Sequence, residues 1–569
     1  MRKVISSLLL IVFILFSTGS LNGQNIKLQA PLAIPISLSG SFGEIRTDHF
    51  HSGIDLRTNG TSGYRVYASD TGFVSRIKVS AIGFGNTIYI EHPNGLTTVY
   101  AHLDKFSPKI AQYVENAQYS QKSFEVELFP GKHDLPVKKG DVIALSGNSG
   151  SSGGPHLHYE VRHTSSQIPV APSNFLLEWK NIDNTAPSIK KVFIYQIDSI
   201  GYMKDSLNRT ALKFKMIGNK YIIPDTIYAF DKVGLGVESY DIINNQSSRC
   251  GFKSITLTVN NQQTYKLDLG SFSFAETKYV NSVIDYYNKA LHKEEIVKLW
   301  VDDNNNFSGL KYNDSRGYID VANNKTYDIS IIIEDFSGNK AIIEGTIAGR
   351  TQQKKSTLRS NSNQLILKYD RENKISTDDY EITIPKDALY HDIYFSHTSI
   401  SENSTQTIYR IHNSNTPIHK KYTFKVMHPS IPQSLLEKAF IGYVNGNSID
   451  YCDSKIIGNS IEATCRKFGD FTVAIDTIPP QIKPLNLFNK SKIENTTQLR
   501  FKLTDNTGIN TYNGYIDGKW EIFEWDPKTE TLRYDLGRKR ISQKKWHQLK
   551  LEVTDNLNNK SEYLCEFFW

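Results

Sequence analysis

The chain has 569 residues, far more than one hydrophobic core accommodates, so three or four domains are expected. Hydrophobic residues make up 39% and charged residues 22%, a globular composition that excludes wholesale disorder. The net charge is +7, but residues 24–178 hold 13 basic and 13 acidic side chains, so no nucleic-acid partner is expected there.

The N-terminus carries the pattern of an export signal. Arg2 and Lys3 precede an apolar run over residues 5–16, and small and polar residues follow over 17–23. This order predicts a signal peptide at 1–23 and export to the periplasm, the cell surface or the medium. The alternative is an uncleaved anchor, although the run is shorter than the roughly 20 residues that a membrane span needs. No later stretch is apolar enough to span a bilayer, so no transmembrane segment is expected after cleavage.

Histidines are concentrated in the first third of the chain. Eight of the fifteen lie between positions 49 and 163, and four of these stand in three short motifs. The motifs are HSGID at 51–55, YAHL at 100–103 and GPHLHYE at 154–160. A glycine-rich stretch, 147–154, precedes the last motif; it lacks the Gly-Lys-Ser/Thr ending of a phosphate loop and is interpreted as a bend that presents His156.

The spacing within the first motif constrains how the chain folds. Ser52, Gly53 and the β-branched Ile54 disfavour a helix, and in an extended chain His51 and Asp55 would lie about 13 Å apart. That is too far to share an ion whose bonds are roughly 2.0–2.2 Å long. A bend at Gly53 is therefore expected.

The other two motifs are predicted on strands. His156 and His158 would project from one strand face, about 6.6 Å apart along the chain. His102 ends the second strand of a hairpin, residues 87–91 and 96–102 joined through Pro-Asn-Gly at 93–95, because Asn-Gly between alternating strands is a strong hairpin signal. A catalytic zinc site has three protein ligands, such as two histidines and one carboxylate, and leaves the fourth position open.

The order of these motifs resembles that of the lysostaphin/LytM-type zinc metalloendopeptidases, which cut peptidoglycan cross-links or bridges. The resemblance covers residues 35–165 and includes GFV at 72–74, GN at 85–86 and KGDVIA at 139–144. It implies a mostly antiparallel β barrel or sandwich and one zinc ion per chain. The implied ligands are His51, Asp55 and His158, and the implied catalytic histidines, which are not ligands, are His102 and His156.

The same resemblance implies the substrate, the stem peptides of peptidoglycan, and the activity of a D,D-endopeptidase. The residues do not distinguish a D-alanine–diaminopimelate bond from a glycine–glycine bond as the bond that is cleaved. Two alternatives are a non-catalytic wall-binding or amidase-regulating module, which the five intact residues disfavour, and an adhesin or scaffold with an accessory peptidase. An insertion at 104–136 departs from the family pattern and is expected to rim the groove.

The rest of the chain is expected to be β-rich, which makes the whole chain all-β. Only 110–115 and 433–439 have helical character. The phrases DNTAP (183–187) and DTIPP (476–480) each mark a domain start, and turns led by Asp follow strands at 335, 505 and 555. These patterns predict a peptidase domain at 24–180, immunoglobulin-like β-sandwiches at 181–352 and 479–569, and a distinct β-rich domain at 357–478. A protein partner is expected to bind these modules, and Cys452 and Cys465, which flank a Gly-Asn turn at 458–459, are the candidate pair for a disulfide in an exported protein.

Overall fold

The computed structural model describes residues 26–179, 182–197, 209–218, 220–243, 248–351, 365–401, 406–429, 431–493 and 496–569. The predicted signal peptide, residues 1–23, lies outside this part of the chain. Strands dominate every described segment, which confirms the all-β prediction. No helix among the described residues is both long enough and apolar enough to cross a membrane.

The N-terminal sheet has eleven strands, and each of its strand pairs is antiparallel. The strands are β1 (Leu38–Gly40), β2 (Ile54–Arg57), β3 (Arg65–Tyr67), β4 (Gly72–Val79), β5 (Asn86–Glu91), β6 (Leu96–Phe106), β7 (Val126–Leu128), β8 (Pro136–Val137), β9 (Val142–Ser146), β10 (His156–His163) and β11 (Pro169–Val170). The main path through the sheet runs β1-β2-β10-β6-β5-β4-β7. The β5–β6 pairing confirms the predicted hairpin.

The insertion contains the longest helix among the described residues. Helix α1 (Pro108–Gln121) begins with proline in its first turn, where the missing N–H costs nothing, and Lys122 ends it in the left-handed conformation. The helix is longer than the predicted 110–115. Two short 3₁₀ helices, Pro172–Asn174 and Leu177–Trp179, lead out of the N-terminal sheet.

The next segment folds into a five-stranded and an eight-stranded sheet. Its strands are β12 (Ser188–Gln196), β13 (Arg209–Leu212), β14 (Lys215–Ile217), β15 (Lys220–Ile222), β16 (Ile227–Ala229), β17 (Asp231–Tyr240), β18 (Ser254–Val259), β19 (Gln262–Asp268), β20 (Val297–Lys298), β21 (Leu310–Tyr312), β22 (Ile319–Val321), β23 (Thr326–Glu334) and β24 (Lys340–Gly349). The 3₁₀ helix Thr277–Tyr279 and helices α2 (Val280–Val283) and α3 (Tyr286–His292) lie between β19 and β20.

The third segment has one two-stranded and two five-stranded sheets. Its strands are β25 (Leu365–Leu367), β26 (Asn373–Ser376), β27 (Tyr380–Ile384), β28 (Ile393–Phe395), β29 (His397–Ser401), β30 (Thr407–Ile411), β31 (Tyr422–Met427), β32 (Ala439–Asn445), β33 (Ser448–Tyr451), β34 (Ser454–Ile457), β35 (Ser460–Cys465) and β36 (Gly469–Ile475). The predicted helical character near 433–439 corresponds to a 3₁₀ helix, Gln433–Lys438.

The C-terminal module, residues 479–569, has a four-stranded and a five-stranded sheet. Its strands are β37 (Gln481–Pro484), β38 (Ser491–Lys492), β39 (Gln498–Thr504), β40 (Ile509–Ile516), β41 (Lys519–Glu521), β42 (Glu524–Asp526), β43 (Thr531–Asp535), β44 (Trp546–Asp555) and β45 (Lys560–Phe568), and a 3₁₀ helix, Leu536–Arg538, follows β43.

Turns led by aspartate join equivalent strands in the second segment and the C-terminal module. Asp335 accepts hydrogen bonds from the backbone N–H and the side-chain amide of Asn339 between β23 and β24. Asp555 accepts the same pair of hydrogen bonds from Asn559 between β44 and β45. Identical turn chemistry at matching places supports the predicted relation between the two modules; their immunoglobulin-like character stays a prediction.

One hydrophobic core crosses the predicted boundary near residue 180. It extends from Leu28 to Ile347, whereas the third and C-terminal segments have cores of their own. Ring centroids of Phe42 and Phe272 are 5.1 Å apart, and those of Phe50 and Phe307 are 4.9 Å apart. All four rings are buried, so the first two segments form one packed body.

Replacing Phe272 with alanine should therefore destabilise the N-terminal sheet as well as its own segment. We expect a loss of about 3–5 kcal/mol in the free energy of unfolding, because the change leaves a cavity in a shared core. Hydrogen exchange followed by mass spectrometry should show weaker protection of β10. Phe501→Ala, in the separate C-terminal core, is the matched control. Unchanged protection of β10 in the Phe272 variant would show that the two segments unfold independently.

The predicted disulfide remains a prediction. All four cysteines are free thiols in the structure. A hydrogen bond with Cys465 lowers the pKa of the Cys452 thiol, so the two sulfur atoms are neighbours.

Candidate active site

The three side chains predicted to bind metal come together on neighbouring strands. Asp55 on β2 lies directly opposite His158 on β10 in the antiparallel register. His51 precedes β2, and the chain bends at Gly53, which confirms that prediction. A Cβ atom at Gly53 would lie 2.4 Å from the carbonyl oxygen of Tyr159, so the close approach of the two strands requires glycine.

Three candidate ligand atoms converge within this group. His51 Nε2 is 3.1 Å from Asp55 Oδ1 and 3.0 Å from His158 Nδ1. His158 Nδ1 is 2.9 Å from Asp55 Oδ1. Ligands at roughly 2.0–2.1 Å from a tetrahedral ion lie about 3.3 Å from one another. The separations and the donor set of two imidazoles and one carboxylate therefore fit a zinc ion with one position left open.

Both histidines of this group are oriented from behind by a hydrogen-bond acceptor. His51 Nδ1 donates to the carbonyl oxygen of Ser41 over 2.7 Å. His158 Nε2 donates to Glu160 over 2.9 Å. Because these acceptors hold the proton on the outer nitrogen, the inner nitrogen of each neutral ring directs its lone pair toward the group. This arrangement is the one that metal-binding histidines need.

The Asp55 carboxylate is held in its charged form, which favours a cation between the three side chains. Burial opposes the charge on Asp55, but the charge on His51 and hydrogen bonds from neighbouring histidines hold the pKa of Asp55 well below its usual value. Arg46 binds the other oxygen of this carboxylate at 2.9 Å. Burial also opposes charge on His158, yet hydrogen bonds to Asp55 and Glu160 outweigh it and raise the pKa of His158 to about 9. Metal binding would displace that proton.

His102 has an unusual backbone conformation. Its φ of 58° lies in the left-handed region, and the pairing of β5 with β6 shifts register at this point. Its Nδ1 donates to the carbonyl oxygen of Ser149 over 2.9 Å, which leaves Nε2 free of that proton. Burial, with the charges of His158 and His156, lowers the pKa of His102 to about 3. The ring therefore stays neutral at neutral pH, with the lone pair of Nε2 available.

The glycine-rich stretch, residues 147–154, forms what we call the catalytic loop. The carbonyl oxygen of Gly154 accepts a hydrogen bond from His156 Nδ1 over 2.8 Å, and Ser152 Oγ lies 3.2 Å from the same nitrogen. At Gly150, φ is +69°, and a Cβ atom there would lie 2.4 Å from the carbonyl oxygen of Gly83. The loop thus presents His156 by a bend that needs glycine, as the sequence indicates.

His156 lies beside the three candidate metal ligands and is not one of them. Its Nε2 is 3.4 Å from Asp55 Oδ1, and its ring centroid is 4.8 Å from that of His102. All five sequence-predicted residues are therefore brought together. His156 and His158 share one strand face, as predicted.

Glu160, the last residue of the GPHLHYE motif, belongs to the site although no role is assigned to it from the sequence. It is completely buried, accepts a hydrogen bond from Ser52 Oγ over 2.5 Å, and pairs with Arg162. The pairing with Arg162 and the hydrogen bond from His158 outweigh burial and lower the pKa of Glu160 to about 2. The alternation of His156, His158 and Glu160 along one strand is the signal that reveals it. No sequence signal reveals the carbonyl group of Ser41.

Comparison with known families now identifies the domain. A family model described as Peptidase family M23 matches residues 49–119, which include His51, Asp55 and His102. The chain carries a peptidase family M23 domain. The predicted resemblance to lysostaphin/LytM-type metalloendopeptidases is confirmed for this domain. A second model, described as a Zu5-like domain, matches residues 364–476.

Relatives of the M23 domain include proteins named for peptidoglycan hydrolysis. Over 133 residues the chain is 35% identical to DD-carboxypeptidase/endopeptidase Mpg of Neisseria meningitidis serogroup B, covering 23% of this chain and 24% of that protein. Over 111 residues it is 33% identical to peptidoglycan DD-endopeptidase ShyB of Vibrio cholerae serotype O1, covering 20% of each. The chain spans about a quarter or less of the length of these curated relatives.

Among solved structures, a point mutant of the catalytic domain of the prophage-encoded M23 protein EnpA from Enterococcus faecalis is similar to this chain. It is 26% identical, and the match covers 25% of this chain and 94% of that chain at a TM-score of 0.19.

Proposed function

We propose that this protein is an exported zinc endopeptidase that hydrolyses the peptide cross-links of bacterial peptidoglycan. The observation that carries this proposal is the convergence of His51, Asp55 and His158 beside two oriented histidines, His102 and His156. Relatives named for DD-endopeptidase activity support the substrate class, peptidoglycan stem peptides. Export is supported by the charged and apolar pattern of the first 23 residues.

The roles of the residues follow from their hydrogen bonds. His51, Asp55 and His158 would hold one zinc ion, which supplies Lewis-acid chemistry by polarising a carbonyl and lowering the pKa of water toward 7. His102, neutral and with Nε2 available, accepts a proton from the attacking water. His156, whose Nε2 lies 3.4 Å from Asp55 Oδ1, is the second histidine beside the proposed ligands and donates a proton to the leaving amine.

The direct test is mass spectrometry of cross-linked muropeptides incubated with the full-length protein and zinc. We expect dimers to become monomers with the gain of one water, and a chelator to stop the reaction until zinc is restored. Parallel dimers joined by D-alanine–diaminopimelate bonds and by glycine bridges identify the bond that is cut. If both kinds of dimer stay intact with zinc-loaded protein, the proposed function is wrong.

A further inference from the structure

The C-terminal module reaches back to the M23 domain and contacts its catalytic loop. Lys528 Nζ donates to the carbonyl oxygen of Asn148 over 2.5 Å and to that of Ser152 over 3.1 Å. An ammonium group that binds two carbonyl oxygens forms charge-assisted hydrogen bonds, which are stronger than neutral ones. One side chain therefore links both ends of the loop segment 148–152.

The turn that carries Lys528 is itself fixed. It joins β42 to β43, and Pro527 restricts its backbone. Asp526 accepts hydrogen bonds from the backbone N–H of Lys528 over 3.2 Å and from Thr529 Oγ1 over 2.9 Å. The lysine thus extends from a preformed turn, although its side chain is exposed.

A second contact holds the same module against helix α1 of the insertion. Tyr119 donates from its hydroxyl to Glu521 over 2.8 Å, and Glu521 is only 3% exposed. The Arg540 guanidinium lies 4.1 Å from the centre of the Tyr119 ring, and Trp520 packs edge-on against that ring. The insertion that departs from the family pattern therefore serves as a docking site for the C-terminal module.

The Zu5-like segment also contacts the C-terminal module. Lys438 donates to the carbonyl oxygen of Leu557 over 2.8 Å. Asp476 accepts hydrogen bonds from Thr507 and Asn559, both in the C-terminal module. The module is therefore held by the Zu5-like segment as well as by helix α1.

The contacts of the catalytic loop determine what Lys528 can do. Ser149, whose carbonyl oxygen orients His102, lies between the two residues that Lys528 binds. Ser152, one of those two residues, also contacts His156 through its hydroxyl group. A shift of this loop would move the acceptors of both histidines together.

We propose that the C-terminal module completes the active site, with Lys528 as a positioning residue that acts through the catalytic loop on His102 and His156. This inference rests on the proposed function for its effect on turnover. Its effect on the loop does not depend on that function.

The kinetic test compares three full-length variants on cross-linked muropeptides. Lys528→Met keeps an unbranched side chain of similar length without its donors, and we expect kcat to fall about tenfold with KM and zinc content unchanged. Lys528→Arg, which can donate to both carbonyl groups, should restore most of kcat. Lys550→Met is the matched control, because Lys550 pairs with Glu552 inside its own module. An unchanged kcat in Lys528→Met, or a change confined to KM, overturns the positioning role.

A second readout is independent of activity. Hydrogen exchange followed by mass spectrometry should show amides of residues 147–154 exchanging about tenfold faster in Lys528→Met, and at the wild-type rate in Lys528→Arg and Lys550→Met. Unchanged exchange in Lys528→Met overturns the inference whether or not the protein cleaves muropeptides. If the wild-type protein is inactive on every muropeptide while exchange rises as expected, the proposed function fails and the support of the loop by Lys528 stands.

Discussion

Replacing His158 with alanine is expected to remove zinc from the protein and to abolish hydrolysis. The change deletes one of the three proposed ligands and leaves Asp55 and Glu160 as neighbouring buried carboxylates without the imidazole between them. His51→Ala and Asp55→Ala should have the same result. Elemental analysis of the purified variants should show the zinc content falling from about one ion per chain to a small fraction of that.

Two further variants make this test specific. His163→Ala lies on the same strand, β10, but is exposed and outside the metal group, so it should keep its zinc. Glu160→Gln keeps an acceptor for His158 without the negative charge, and we expect it to weaken zinc affinity by about 10- to 100-fold. Full zinc content in any of the three ligand variants would contradict the assignment of that ligand.

Replacing His102 or His156 with alanine should separate catalysis from metal binding. Each variant should keep about one zinc ion per chain, because the ligand atoms and the groups that orient them stay in place. Each should lose about 10²–10⁴-fold in kcat, the usual contribution of a general acid or base. Rates on cross-linked muropeptides and zinc content are measured on the same preparations.

A double variant of His102 and His156 tests whether the two histidines act in the same reaction. If both act on one reaction, the double variant should be little slower than the slower single variant, because residues that act as a unit have non-additive effects. His163→Ala again serves as the control. Turnover near the wild-type value in either single variant would show that its imidazole takes no part in proton transfer.

The sequence predicts the site well where local spacing determines geometry. His156 and His158 share a strand face because side chains alternate along a strand, and the bend at Gly53 is required once His51 and Asp55 must meet. The left-handed backbone of His102 is not predictable from its hairpin, since a histidine in a strand is normally extended. It depends on a shift of register that only the assembled sheet shows.

The parts of the site that the sequence does not predict come from far along the chain. Lys528 is 376 and 380 residues from the carbonyl groups that it binds, and no motif marks it. The backbone N–H of Gly251, in the second segment, donates to Ser41 Oγ, while the carbonyl oxygen of Ser41 orients His51. Such contacts are determined by how separate modules pack, and patterns within a single strand or turn carry no information about that packing.

The four phenylalanines that join the first two segments also limit where the chain can be divided without exposing apolar surface. A fusion that moved the M23 domain alone into another protein would carry Phe42 and Phe50 without Phe272 and Phe307 to cover them. The exposed rings would favour aggregation of the hybrid over folding. A division at residue 180 would therefore uncover part of this core, and the part of the chain that keeps it covered is the peptidase domain together with the segment that follows it.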